Sequence, residues 1–338
     1  MERKPSVYRI NETIIKKAKL DKKDDKILIF LAQNARIPVS AIAKNIRLSK
    51  EGTAYRIRRL QEKNILLKTH PIIDLRDLGY ATFHVFMVID EAHIERKEDL
   101  LNHLVAHPNT KAVMEYSDRW DLEWVLVAKD VQDFDNLLTE VTKSFSDIII
   151  EKHKFEIIFG FKSIQYPYKE SEHTMLQTKK QELKPVDKTS MALLKALCED
   201  ARQSTYTLAK QLHVSPDTIS YRMKQLVNQG TIREFSIMPN FSLLKYHWQT
   251  MCIDVKTFDL QHELKFKEYI SQQPEIIRAI KVLGDSDLML HIVTKEIEDL
   301  HRIVKEIYKT FVDIIINYQT WGGYKEHYFT SLPLVITE

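Results

Sequence analysis

The sequence predicts an α+β chain containing two copies of one module, each a helix-turn-helix followed by a ferredoxin-like βαββαβ sandwich. Three observations predict it: an internal repeat held in one register, three short helices opening each copy, and alternating strand-like and helix-like segments closing it. Laying Leu20-Asp21-Lys22 over Val186-Asp187-Lys188, an offset of 166 residues, aligns the copies without a gap. Leu28 meets Leu194, Ala35-Arg36 meets Ala201-Arg202, Ala43-Lys44 meets Ala209-Lys210, and Tyr55-Arg56 meets Tyr221-Arg222. The same offset still places Asp121-Leu122 on Asp287-Leu288 and Asp147-Ile148-Ile149-Ile150 on Asp313-Ile314-Ile315-Ile316. Chance rarely holds one register over so many matches, so the chain is a tandem duplication.

The repeat divides the chain into a basic leader (1–19), a helix-turn-helix (20–70), a sandwich (71–166) and a linker (167–185). A second helix-turn-helix (186–236) and a second sandwich (237–338) follow. The leader carries Arg3, Lys4, Arg9, Lys16, Lys17 and Lys19, and reads as a solvated tail or a phosphate-contacting arm.

Bulk composition bounds the function. The 338 residues are 44% hydrophobic and 29% charged, with a formal net charge of +3, so any nucleic-acid footprint has to be local. Seven glycines argue against Gly-rich phosphate loops. Cys198 and Cys252 form no CxxC pair, so neither a disulfide framework nor a metal site is expected. No apolar run reaches the ~18 residues of a membrane span, and Met1-Glu2-Arg3-Lys4-Pro5 lacks a signal-peptide core. A cytoplasmic protein without a cofactor is expected. HExxH, GxSxG and GxxxxGK[ST] are all missing from the sequence, so none of those enzyme chemistries finds a motif.

Each helix-turn-helix follows from local pattern. Ile27, Leu28 and Leu31 (Leu193, Leu194 and Leu197 in copy two) share one helical face. A second short helix carries Ile42, Ala43 and Ile46, matched by Leu208, Ala209 and Leu212. Ser49 and Ser215 then stand where an N-cap belongs, and Pro216 suits a first helical position. In the third helix Ile219, Met223 and Leu226 form a buried stripe, equivalent to Thr53, Ile57 and Leu60. The opposite side carries Glu51, Tyr55 and Arg58, flanked by Gly52, Ala54 and Arg59. In copy two it carries Asp217, Tyr221 and Lys224, flanked by Thr218, Ser220 and Gln225. A helix held this way across a tight turn can lie in the major groove of double-stranded DNA. Its early residues meet base edges, while Lys50, Arg56 and Arg59 are expected nearer the phosphates, and Arg222 counts among the DNA-binding residues of copy two. From Lys50 to Lys63 the first reader holds five basic and two acidic residues; from Pro216 to Gln229 the second holds two and one. Copy one should therefore contribute more of the salt-dependent affinity.

The sandwich follows from strand-like Ala81–Ile89, Lys111–Tyr116, Leu122–Ala128 and Ile148–Phe159, with helical stretches near Arg96–Ala106 and Val131–Lys143. Copy two repeats the order with Thr250–Val255, Ile277–Leu283, Leu288–Thr294 and Ile314–Trp321, and helices near Leu264–Gln272 and Ile297–Tyr308. Helices on one face leave the other face of each sheet to be covered, commonly by dimerisation.

Leu20-Asp21-Lys22-Lys23-Asp24, Ala41-Ile42-Ala43-Lys44 and Ser49 through Leu60 resemble the Lrp/AsnC family of bacterial and archaeal transcription regulators. In copy two the matching residues are Val186-Asp187-Lys188, Leu208-Ala209-Lys210 and Ser215 to Gly230-Thr231-Ile232, so the resemblance covers nearly the whole chain, twice. It implies double-stranded DNA as partner and pairing through the sandwich sheets, either as an intrachain pseudo-dimer or as a homo-oligomer. It also implies an amino-acid-class effector near a Gly-x-x-Asp loop, here Gly284, Asp285 and Asp287; copy one has Asp118 in place of the glycine. Sirohaem decarboxylases share the architecture but carry a His-Asn-Tyr stretch, where this chain has Glu115-Tyr116-Ser117 and Val282-Leu283-Gly284. His153 and His291 are expected as half-exposed strand residues. An architectural DNA-binding protein is the third reading.

Overall fold

The computed structural model describes residues 9–10, 18–90, 92, 94–163, 166–168 and 186–337. The leader and the linker lie almost wholly outside these residues, but Arg9 of the leader, expected in a solvated tail or a phosphate-contacting arm, is buried and paired with Glu326. In chain order the elements are α1 (Lys22–Gln33), α2 (Val39–Ile46), α3 (Lys50–Glu62), β1 (Leu66–Ile73), β2 (Ala81–Ile89), α4 (Ile94–Ala106), β3 (Thr110–Tyr116), β4 (Leu122–Ala128), α5 (Val131–Ser144) and β5 (Ile149–Lys162). The second copy repeats them as α6 (Lys188–Glu199), α7 (Thr205–Leu212), α8 (Pro216–Gln229), β6 (Ile232–Pro239), β7 (His247–Val255), α9 (Leu260–Ser271), β8 (Ile276–Gly284), β9 (Leu288–Thr294), α10 (Ile297–Thr310) and β10 (Ile315–Phe329). Both βαββαβ runs stand as expected. The described elements group into two compact units that do not follow the copy boundary: one gathers both helix-turn-helix segments, the other both sandwiches.

In the helical unit the copies are joined by β1 and β6, which pair antiparallel from Leu66 opposite Pro239 to Ile73 opposite Ile232. The pairing is reinforced reciprocally. Ala35 N–H donates to the Phe235 carbonyl and Ala201 N–H to that of Thr69. The Arg36 guanidinium bonds the carbonyls of Ala201 and Gln203, and Arg202 those of Ala35 and Ile37. Each bond has its repeat counterpart at the same offset. This is the arrangement of a two-fold dimer, made within one chain.

In the sandwich unit the strand order β10-β3-β4-β2-β5-β8-β9-β7 closes on itself. Each copy supplies a four-stranded sheet, and the seams are β5 with β8 and β10 with β3. Alternate residues separate two environments. Phe83, Val85, Met87 and Ile89 of β2 pack beneath α4 and α5 with Leu100, Leu104 and Phe134, and copy two builds a matching helix-side core. The opposite faces meet inside the barrel, where Phe86, Trp120, Phe155, Trp248 and Trp321 cluster. Thus each sheet covers the other's second face. His153 is partly exposed as expected, bonded to Glu151 and Asp285. The expectation for His291 is corrected: it is buried in the barrel interior, because β9 has both of its faces covered.

One seam should respond to acid. Glu115 on β3 accepts from His327 of β10 at 2.9 Å and from Lys97 of α4 at 2.9 Å. The His327 bond, with Lys97 behind it, outweighs burial and holds the Glu115 carboxyl down to about 2. A carboxyl lowered on folding stabilises above its ordinary value of 4.5 and loses that contribution as pH falls toward about 2. Glu115→Gln should therefore cost about 2 kcal/mol at neutral pH and narrow its deficit across that acid window. Parallel acid unfolding curves of the two proteins would refute the coupling.

Candidate nucleic-acid interface

Both third helices start as the sequence requires. Ser49 Oγ accepts from the Gly52 N–H at 2.9 Å, and Ser215 Oγ from the Thr218 N–H at 3.1 Å. Arg47 and His213 close the preceding helices with φ of 54°, a left-handed turn that sends α3 and α8 off at an angle. Thr53, Ile57 and Leu60 are buried, as are Ile219 and Leu226, with Met223 half-buried. The opposite face is open. Ser49, Lys50, Glu51, Tyr55 and Arg58 are exposed, with Gly52 and Ala54 half-buried beside them. In copy two Ser215, Asp217, Tyr221 and Lys224 are exposed, flanked by half-buried Thr218, Ser220 and Gln225. Tyr55 and Tyr221 hold the same repeat position and expose 61% and 67% of their surface, so neither aromatic ring is used for packing.

Three arginines expected to contact DNA, Arg56, Arg59 and Arg222, are engaged within their own domains. Arg56 bonds Asp21 at 2.7 Å and Asp24 at 2.8 Å, and Arg59 bonds Asp24 at 2.5 Å. Arg222 pairs with Asp187 and reaches Ser190 Oγ at 3.0 Å. Asp21 and Asp187 cap the first helix of their copies, so each arginine fastens the third helix onto the start of the first. Backbone N–H bonds, with Arg56 beside Asp21 and Arg222 beside Asp187, hold both carboxyls below the usual range. The three guanidiniums thus pair with carboxylates of their own domain. Lys50, Arg58 and Lys63 then carry the exposed positive charge of the first reader, and Lys224 that of the second. Copy one remains the more basic.

Gly284, Asp285 and Asp287, the residues expected near an effector, take part in bonds at the strand ends. Gly284 sits at φ 152° against the Lys154 backbone in the β5–β8 seam. Asp285 accepts from Lys154 N–H at 3.2 Å, and Asp287 accepts from Val255 N–H at 2.8 Å. Asp121 repeats the Asp287 bond in copy one, accepting from Ile89 N–H at 2.8 Å. These residues hold strand ends together.

Comparison with known proteins places this geometry. The model of the AsnC-type helix-turn-helix domain matches residues 20–61, a winged helix-turn-helix DNA-binding model matches 186–233, and the Lrp/AsnC ligand binding domain matches 251–319. An HTH-type transcriptional regulator of Pyrococcus horikoshii is 32% identical over 122 residues, spanning 35% of this chain and 80% of the relative. The chain belongs to the Lrp/AsnC family. It is a DNA-binding transcription regulator of that family with two helix-turn-helix domains. Transcriptional regulator AzlB of Bacillus subtilis is 28% identical over 120 residues, 35% of this chain and 76% of that one. Among solved structures, the siroheme decarboxylase NirDL is similar with a TM-score of 0.61 at 15% identity, covering 92% of this chain and 94% of its own. That likeness shows a shared two-copy fold. No described helix is long and apolar enough to cross a membrane.

Proposed function

We propose that a single chain of this Lrp/AsnC protein acts in the cytoplasm as a pseudo-dimer that reads an asymmetric DNA site with two unequal helices. The observation that carries the reading is the reciprocal joint of the helical unit, with β1 on β6 and Arg36 mirrored by Arg202. A two-fold dimer presents identical helices and matches a palindrome. Here the third helices differ, with Glu51, Arg58 and Arg59 facing Asp217, Lys224 and Gln225 at equivalent positions. One chain therefore has no reason to favour identical half-sites. Ser49, Lys50, Glu51, Gly52, Ala54, Tyr55 and Arg58, with Ser215, Asp217, Thr218, Ser220, Tyr221, Lys224 and Gln225, supply the base and phosphate contacts.

Light scattering of the free chain and of its complex with a selected duplex tests this. The expected masses are one chain, and one chain per duplex. A stable dimer that selects a palindrome would overturn it.

No catalytic role is proposed. The shared fold with a siroheme decarboxylase makes the check specific: sirohaem incubated with the protein should keep all its carboxyl groups by mass spectrometry. Their loss would establish an enzyme.

A further inference from the structure

We propose that the interior of the sandwich barrel binds a small organic anion, a carboxylate on a flat apolar body, with Arg278 as its charged anchor. This goes beyond DNA reading and concerns residues other than the Gly284 loop.

A chain of hydrogen bonds crosses the barrel from one copy to the other. Arg278 Nη1 lies 3.3 Å from His291 Nε2, and His291 Nδ1 lies 3.2 Å from Thr250 Oγ1. Thr250 Oγ1 is 3.1 Å from the Tyr116 hydroxyl, which donates to Glu123 Oε2 at 2.7 Å. His84 Nδ1 meets the other Glu123 oxygen. Burial drives both imidazoles below their usual range, His291 well below it, so each is neutral and offers one donor and one acceptor. One assignment satisfies every link. Arg278 donates to His291, His291 to Thr250, Thr250 to Tyr116, and both Tyr116 and His84 to Glu123.

The two ends of this chain are unfinished. Arg278 has five N–H donors, and among the described residues it makes this one bond and no ion pair. Burial pushes its guanidinium down to about 10, which leaves it a cation at neutral pH. It nevertheless keeps part of its surface accessible. His84 Nε2 is buried with no partner, and so are the indole N–H groups of Trp120, Trp248 and Trp321. All four side chains are more than nine-tenths buried. Buried polar groups left this way call for a partner, a bound molecule or an ordered water. An eight-stranded barrel has an interior of the size that side chains fill or one small ligand shares.

The chemistry of the missing partner can be read from these groups. An open guanidinium pairs in a fork with a carboxylate. Flat apolar atoms suit the surrounding rings, since Phe86 stands edge-on to Trp321 at 5.3 Å and Trp248 packs on His291 at 4.8 Å. Among the described residues, the carboxylates of Glu123 and Glu326 are buried and engaged, the latter by Arg9, while Asp254 of β7 keeps one buried oxygen without a partner. The duplication adds an independent sign. At the repeat positions of Arg278, His291, Glu123 and Tyr116 the other copy has Ala112, Val125, Met289 and Val282. The fold itself therefore accepts apolar residues at these places, and the polar set is confined to one half each.

The test titrates the full chain with benzoate, phenylacetate and 4-hydroxybenzoate, following heat and tryptophan emission, because three of the four tryptophans line this interior. Saturable binding of at least one carboxylate is expected. Benzamide, the uncharged analogue of benzoate, should bind at least tenfold more weakly. Arg278→Ala should abolish the saturable response while melting near the parent, since alanine occupies the equivalent position of copy one. Arg278→Lys should retain a weakened response, and it carries the decision where the alanine variant does not fold. Three results each overturn the site: no saturation with any of the three carboxylates, benzamide equal to benzoate, or undiminished binding by the variants. DNA enters none of these readouts, so failure here leaves the DNA reading untouched.

Discussion

A Gly284→Ala variant is expected to melt roughly 10 °C below the parent in the transition of the sandwich unit, a loss of about 3–4 kcal/mol. Gly284 ends β8 at φ 152°, a conformation that side chains rarely adopt. A Cβ there would lie 2.0 Å from the Lys154 carbonyl oxygen, 3.1 Å from its carbon and 3.2 Å from Phe155 Cα. All three are backbone atoms of β5, which is bonded to β2 on its other side, so the strand cannot step back without breaking a ladder. Gly322 provides the control. Its added Cβ would meet the ends of Asp118, Gln249 and Ser117 side chains at 3.3 to 3.4 Å, and these can turn away. Gly322→Ala should cost about 1 kcal/mol or less. Equal melting of the two variants would remove the steric account of the seam.

The second large effect is on sequence choice. Duplexes selected from a random pool by Arg58→Ala should change in one half of the motif, and those selected by Lys224→Ala in the other. Each side chain is exposed on the face away from its helix's buried stripe. A lost base contact costs about 1–3 kcal/mol and relaxes one position, whereas a lost phosphate contact weakens all sequences alike and lowers the salt slope by about one. Arg56→Ala serves as contrast: with Arg56 tied to Asp21 and Asp24, it should lower stability and leave the motif as it was. Unchanged motifs in both reading-face variants would refute the assignment. Equal affinity for selected and random duplexes would mark an architectural binder instead.

Much of this was legible from residues alone, and the reasons are local. Serine caps, a tight turn and a three-to-four residue apolar spacing specify the readers because each acts within one or two helical turns. Strand alternation likewise marked β2, β4, β8 and β9 close to their observed limits. The roles of Arg56, Arg59 and Arg222 were not legible, since their acceptors stand some thirty residues earlier. The interior network was missed because His84, Glu123 and Tyr116 sit in apolar strands. Taking every second residue of each strand as a separate face would have gathered them with Thr250, Arg278 and His291.

The amino-acid order by itself determined that there are two modules, what elements each contains and which side of each third helix is free. Tertiary structure alone decided that sheets and helical domains pair across the copies, leaving charged and aromatic groups enclosed between them. The physical reason is that an apolar face records that it must be covered, while the identity of the cover depends on which complementary surface the folded chain brings within reach. Duplication supplied one of matching shape on the same polypeptide.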